Sequence, residues 1–305
     1  MDSVKSEVAT LYSEHEISSG CFRIVLSVWE PPKPEAAIVF IPATMTHSLI
    51  FEPLLSCFAE KGFAVIGLHP VGHGKSSHDV KRFTISDMVQ NARDAVTFAI
   101  ECFGVPVIVM GSSQGGVVAA ALASEDDRIA AVFPHGILLS ELPDSIGISR
   151  FPFWLRHVYR PMQTVLRFFA WLFPDLKFPI GFYLDRMRIA KHAQIWDAFE
   201  SDLLCPKRYS LHYLISLITT RYPGLTDGSI RCPVYVVADS GDEVFKLAYI
   251  QQVFELLQAP YKEMVMFHHN EHMFMVIHPK EVCSVLSKKM REALRNHECT
   301  KTQAD

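Results

Sequence analysis

The sequence is informative first through what it lacks. None of its seven cysteines (Cys21, Cys57, Cys102, Cys205, Cys232, Cys283 and Cys299) forms a Cys-x-x-Cys pair. Their odd number and wide spacing argue against a zinc ribbon or a thioredoxin-like centre. No uninterrupted apolar run reaches the ~20 residues of a membrane-spanning helix. The most apolar region, 151–184, is broken by Arg156, Arg160, Arg167, Asp175 and Lys177. Positive charge is not in excess either. The 29 Lys and Arg against 33 Asp and Glu leave a formal charge of −4, without a basic, aromatic-interleaved stripe. Nucleic acid is therefore not expected as a partner, and nothing in the net charge favours an anionic membrane surface. Residues 1–16 lack the cationic start and apolar stretch of a secretory signal, so the expected compartment is a reducing cytoplasm.

What is present describes a folded protein. Of the 305 residues, 49% are apolar and 20% charged, enough to bury a sizeable core. Residues 22–29 alternate as a half-buried strand does. Short continuous apolar runs at 36–41, 63–68, 105–110, 128–133, 233–238 and 261–267 read as further strands, several of them buried on both faces. Between them, 51–60, 84–103, 115–124, 244–258 and 279–297 have helical spacing, the second expected to be capped by Ser86. This alternation predicts an α/β fold, with a mostly parallel central sheet and helices on both faces. The rhythm breaks at 140–228, a proline-punctuated and aromatic-rich stretch with helical pieces at 162–172 and 210–219 and no obvious strand. The expected organisation is a core of residues 1–139 and 229–305, with 140–228 inserted as a helical cap or lid. Its aromatic residues, Phe151, Phe153, Trp154, Phe168, Phe169 and Trp171 among them, would line an apolar pocket, rest on lipid, join a homodimer, or form the cap's own core. The segment Trp196–Asp202 receives no role. Residues 300–305 are expected to fray.

The sharpest motif is Gly111-Ser112-Ser113-Gln114-Gly115-Gly116, set between a strand and a helix. Gly-x-Ser-x-Gly in that position is a nucleophile elbow. A serine on so tight a turn needs neighbours without side chains, and the following helix aims its amides at a developing oxyanion. A serine hydroxyl needs a base, and the base an orienting acid. The loop after the last strand offers His268, His269 and His272, of which His272 lies in the loop proper and is preferred, with His269 second. After the preceding strand, Asp242 is better placed than Asp239, which suits an Asx turn; Glu243 and Glu141 stay open as acids. Two rivals are weaker. The segment 69–76 misses a phosphate-binding loop by one residue, having His69 in place of glycine, and no helix is expected to follow it. The cluster His268, His269 and His272 lacks the glutamate of a zinc-binding His-Glu-x-x-His helix. No cofactor and no metal is expected.

The order of serine, acid and histidine resembles that of the α/β-hydrolase superfamily, in its lysophospholipase and monoacylglycerol-lipase-like branch. Residues 63–76, FAVIGLHPVGHGKS, are similar to that family's strand and Gly-His-Gly-x-Ser turn, and 38–44 occupy the place of its oxyanion strand. The resemblance spans roughly 36–140 and 232–297 and implies the α/β-hydrolase fold. It also implies oxyanion donors at the backbone amides of Gln114 and Thr44, with the Thr44 hydroxyl as a possible third. Two departures stand out: Pro42-Ala43 replaces His-Gly, and His69 replaces an aspartate. The expected activity is hydrolysis of a carboxylic ester or thioester of an apolar small molecule through an acyl-enzyme. An acyltransferase, a cofactor-free oxygenase or lyase, or a ligand-binding receptor on the same fold is the alternative.

Overall fold

The computed structural model of the chain describes residues 10–77, 80, 82–191 and 193–302. An eight-stranded sheet forms its centre. In chain order the strands are β1 (Leu11–Ser19), β2 (Phe22–Glu30), β3 (Ala36–Ile41), β4 (Phe63–His69), β5 (Val107–Ser112) and β6 (Ile129–His135), then β9 (Val234–Asp239) and β10 (Lys262–Phe267). Their spatial order is β1-β2-β4-β3-β5-β6-β9-β10. The β1–β2 and β2–β4 pairs are antiparallel and the remainder parallel. Strands β3, β4, β5, β6 and β9 are buried at every residue. That pattern explains their continuous Val, Ile and Ala runs, since helices cover both faces of a parallel sheet.

Helices α1 (Glu52–Glu60) and α10 (Pro279–Thr302) pack on each other, as do α2 (Ile85–Phe103) and α3 (Gln114–Ala123). Helix α8 (Leu247–Leu256) follows β9, and the short α9 (Phe274–Ile277) precedes α10. The fold is the expected one; several local details differ. Thr84, not Ser86, caps α2. Its hydroxyl accepts from Asp87 N–H while the Asp87 carboxylate accepts from Thr84 N–H, a reciprocal capping box. Helix α10 continues to Thr302, beyond the expected fraying point; residues 303–305 lie outside the described ones. Strand β1 had no apolar signature because it is an edge strand, largely exposed and paired only with β2. Of the cysteines, Cys205, Cys232 and Cys283 are buried free thiols and Cys21 and Cys102 are exposed, while the Cys299 side chain is not among those described.

Between β6 and β9 the chain forms α4 (Tyr159–Leu172), β7 (Lys177–Pro179), α5 (Arg186–Ile189), α6 (Ala193–Ser201), β8 (Arg208–Ser210) and α7 (Leu211–Thr219), with short 3-10 turns. Strands β7 and β8 pair antiparallel where no strand was expected, being too short to leave a period in the sequence. Helix α4 buries only Tyr159, Gln163 and Ala170, while Phe168, Phe169, Trp171 and Leu172 stand exposed. Most of the aromatic surface is therefore not the segment's own core. No described helix is long and apolar enough to cross a membrane.

His69, the second of the two departures, ends β4 and is fully buried. Its Nε2 lies 3.0 Å from Ser27 Oγ on β2, and its Nδ1 accepts from Lys75 N–H at 3.1 Å. The turn passes so close that a Cβ on Gly74 would sit 2.0 Å from His69 Nδ1. Nothing resembling a phosphate loop results: no helix begins at Lys75-Ser76. Burial first, and then the neighbouring charges of His47 and Lys75, push the His69 imidazole down to about 3. The folded protein thus holds it neutral, whereas the unfolded chain protonates it near pH ~6.5. The unfolded state then binds the extra proton, so His69 costs no stability above that value and progressively more as pH falls from ~6.5 toward 3. Urea unfolding of the His69→Gln variant should therefore show a shallower acid decline than the parent across this window; parallel declines would contradict the assignment.

Candidate active site

The bend that follows β5 is built by close backbone approach. Ser113 takes φ 54° and ψ −116° as the N-cap of α3, a conformation rare for a residue with a side chain and costing about 1–3 kcal/mol. The glycines around it are obligatory for contact rather than for flexibility. A Cβ on Gly115 would lie 2.1 Å from Ile41 O, and one on Gly111 2.0 Å from Gly115 O. The elbow is thereby wedged against the end of β3, and Ser113 stands at the positive end of α3.

The loops after β9 and β10 bring their side chains to this serine. His272 Nε2 lies 3.1 Å from Ser113 Oγ, and His272 Nδ1 lies 2.8 Å from Asp242 Oδ2. Asp242 can only accept, so Nδ1 carries the ring proton and Nε2 is free to accept from the serine. Asp242 Oδ1 accepts from Val244 N–H at 2.7 Å and Phe245 N–H at 3.0 Å, which fixes the carboxylate. The other candidates lie elsewhere. Asp239 accepts from Gly241 and His269 amides and closes the turn. His268 pairs with Ser240, and His269 stacks on His278 at 3.8 Å beside Glu281. Glu243 faces Lys191, and Glu141 faces Arg221.

One residue of the site escaped the sequence reading. His135, at the end of β6 and 1% exposed, places Nε2 3.4 Å from Asp242 Oδ2 and Nδ1 3.4 Å from Ser112 Oγ. Its ring lies 5.2 Å from that of His272 and edge-on to Phe274. Since Asp242 accepts, His135 donates through Nε2 and receives the Ser112 hydroxyl at Nδ1. Burial lowers the His135 imidazole, with the Asp242 hydrogen bond opposing and the His272 charge assisting, and so keeps it neutral. Burial alone would raise the Asp242 carboxyl; the facing His272 and His135 rings, which both donate hydrogen bonds to it, more than reverse this and hold it well below the usual range. A histidine at the carboxyl end of the strand beside the elbow strand was the available signal, because sites of parallel sheets gather there.

The loop after β3 faces the elbow from the other side. Thr44 Oγ1 donates to Gln114 Oε1 at 3.1 Å, so its hydroxyl is committed and is not the spare third donor expected from sequence. Met45 N–H donates to Tyr209 OH at 2.7 Å, and Tyr209 OH lies 2.7 Å from His73 Nε2. His73 Nδ1 donates to Val71 O, leaving Nε2 to accept the phenol proton. The Gly72-His73-Gly74 turn and β8 thus anchor the loop that carries Thr44.

Two cavities meet at Ser113. The larger, about 350 Å³, is lined by Thr44, Ser113 and Gln114 and otherwise by apolar side chains such as Met162, Leu166, Phe178, Leu214 and Phe245, with no charged residue among its described lining. The smaller, about 10 Å³, lies on the His272 side. Met162 and Leu166 face the large cavity from α4, opposite the helix's exposed aromatic face.

A model of the family described as serine aminopeptidase, S33, matches residues 32–276. No curated protein matches the sequence. Among solved structures, the chain is similar to a soluble variant of monoglyceride lipase from Saccharomyces cerevisiae, in complex with a substrate analog, with TM-score 0.73, 14% identity, and coverage of 96% of this chain and 98% of that one. It is also similar to a monoacylglycerol lipase from Paleococcus ferrophilus (TM-score 0.68, 18% identity, 94% and 99% covered). A thermostable carboxyl esterase from Bacillus coagulans, in complex with glycerol, follows (TM-score 0.65, 14% identity, 92% and 99% covered). At these identities the likeness is one of fold.

The wedge at the elbow is directly testable. Gly115→Ala must push the Ile41 carbonyl aside or open the bend, and should lower stability by roughly 3 kcal/mol or more in denaturant titration. A loss under ~0.5 kcal/mol would mean that the contact is not as tight as described.

Proposed function

Since this chain belongs to the serine aminopeptidase S33 family of α/β-hydrolases, we propose that it is a serine hydrolase cleaving the ester, or thioester, of an apolar acyl group. The observation carrying this reading is the Ser113–His272–Asp242 hydrogen-bonded line, opening onto a cavity lined without charge. The reading divides the chain into a core of residues 1–139 and 229–305 and a cap of residues 140–228 that roofs the acyl cavity. An aminopeptidase reading fares worse, because a substrate's free ammonium group calls for a carboxylate and no described Asp or Glu lines either cavity touching Ser113.

His272 Nε2 takes the Ser113 proton as Oγ attacks the carbonyl carbon. The backbone amides of Gln114 and Thr44 receive the oxyanion, at the α3 N-terminus and on the facing loop. His272 then returns the proton to the departing oxygen as the carbonyl–oxygen bond breaks, and afterwards activates water against the acyl-enzyme. Asp242 holds the ring and stabilises the imidazolium. His135 donates to the same carboxylate oxygen, so it acts as a positioning residue and moderates the negative charge facing His272. The exposed apolar face of α4, flanked by Arg156, Arg160 and Arg167, supports peripheral contact with a lipid surface where such esters are met.

A fluorophosphonate probe should label the wild-type protein at Ser113. Ser113→Ala should retain its circular dichroism spectrum and lose labelling and methyl octanoate hydrolysis by about 10³-fold or more; a labelled, active alanine variant would refute the assignment. His135 is separable from a packing role by a pH profile. Removing its donor in His135→Phe leaves more of the Asp242 charge to His272, which favours the imidazolium. The ascending limb of kcat/KM should then move to higher pH. His135→Gln, which keeps a donor, should restore the limb. An unshifted limb in a folded phenylalanine variant would leave His135 without the role.

A further inference from the structure

Away from Ser113, three metal-ligating side chains of different kinds converge. His47 opens the 3-10 turn Ser48–Phe51 that follows β3, and Asp202 and Cys205 lie in the connection between α6 and β8. Although 155 residues separate them, His47 Nε2 lies 2.8 Å from Asp202 Oδ2. One ring nitrogen of His47, one carboxylate oxygen of Asp202 and the Cys205 sulfur all lie within 4.8 Å of one another. His47 and Cys205 are buried, whereas the Asp202 side chain is 30% exposed, so an ion has a way in past the carboxylate. The other such cluster among the described residues is His135, Asp242 and His272, which the Ser113 line already uses.

Imidazole, carboxylate and thiolate together suit zinc. Bonds of about 2.0 Å to nitrogen and oxygen and about 2.3 Å to sulfur, in a tetrahedron, set ligand atoms about 3.3–3.5 Å apart. The His47–Asp202 pair would therefore part by about 0.5 Å, and the sulfur move in by no more than about 1.3 Å, both within the reach of side-chain torsions. Two of the ligands are already held by their own turn. Asp202 Oδ1 accepts from Leu204 N–H at 2.8 Å, which turns Oδ2 toward His47, and Cys205 N–H donates to Asp202 O at 3.2 Å. Lys207 spends its ammonium on the carbonyls of Phe199 and Asp202, and Leu204 O accepts from Gly74 N–H at 3.0 Å. Outer hydrogen bonds of this sort hold ligands in place before the ion arrives. Binding would release the Cys205 thiol proton to solvent and leave Nε2 of a neutral His47 imidazole to the metal. The assembled site is neutral, two anionic ligands against a divalent ion, which suits its burial.

We infer that His47, Asp202 and Cys205 form a zinc site, completed by water, that staples the turn after β3 to the connection between α6 and β8. The Trp196–Asp202 segment acquires a purpose through its last residue. Because the stapled turn directly follows the loop carrying Thr44 and Met45, the metal would add stability to that loop's far end.

The test uses the full-length protein, reduced, treated with a chelator and dialysed, with cobalt(II) as the spectroscopic probe. Titration should raise a near-ultraviolet thiolate-to-cobalt band and tetrahedral visible bands that saturate at about one equivalent per chain, and zinc should displace them. Cys205→Ser should lose the thiolate band, and Asp202→Asn should weaken zinc binding by about tenfold or more. Saturating zinc should raise the urea midpoint of the parent and leave that of Cys205→Ser unmoved. Should the serine variant fail to fold, Asp202→Asn, changed at a part-exposed position, carries the comparison alone. A band that persists in Cys205→Ser would place the metal on another thiol, and zinc affinity unchanged in Asp202→Asn would remove the carboxylate from it; either overturns the site. So does the absence of any thiolate–cobalt band in the reduced parent protein.

Discussion

The strained bend at Ser113 is the constraint on which the rest of the site depends. A residue at φ 54° and ψ −116° does not hold that conformation alone. It is held because α3 begins immediately, because Gly115 allows the helix to press on the Ile41 carbonyl, and because Gly116 allows it to press on that of His135. The same contacts that lift the hydroxyl from the sheet therefore also fix the ends of β3 and β6. From those ends come the Thr44 loop and the His135 ring. Backbone packing at one turn thus sets the positions of groups lying 69 residues before and 22 after the serine.

A second layer of order comes from Asp242. Its carboxylate is buried and satisfied by two backbone amides on one oxygen and two histidines on the other. Removing a carboxylate from water is costly, and these four donors offset the loss. On the proposed mechanism the sharing has a chemical consequence: the charge that would stabilise an imidazolium at His272 is partly spent on a neutral neighbour. The segment between β6 and β9 then supplies what the sheet lacks, walls. Helices α4 and α7 contribute apolar side chains to the wide side of Ser113, whereas α5 and α6 close the narrow side.

Much of this was legible in the linear chain, for specific reasons. The strands β3 to β6 and β9 announced themselves because burial on both faces demands unbroken apolar runs. The elbow announced itself because steric crowding leaves glycine no substitute. His272 and Asp242 followed from their places after the last two strands. The edge strand β1 and the three-residue strands β7 and β8 were not legible, since the first is solvated on much of its length and the others are shorter than any period. The Thr44 hydroxyl was misjudged because its acceptor, Gln114 Oε1, is 70 residues away. His135 was missed for the same kind of reason, being 107 residues from Asp242 in an otherwise apolar strand.

By itself the sequence determined the architecture, the turn that presents a serine, and the order in which Ser113, Asp242 and His272 follow one another, because these are consequences of local sterics and of hydrophobic period. Only the tertiary structure decided which aromatic residues face water, which histidines share a carboxylate, and how unequal the spaces on the two sides of Ser113 are. Those properties arise from side chains far apart along the chain meeting across the sheet ends, and no local pattern encodes such a distance.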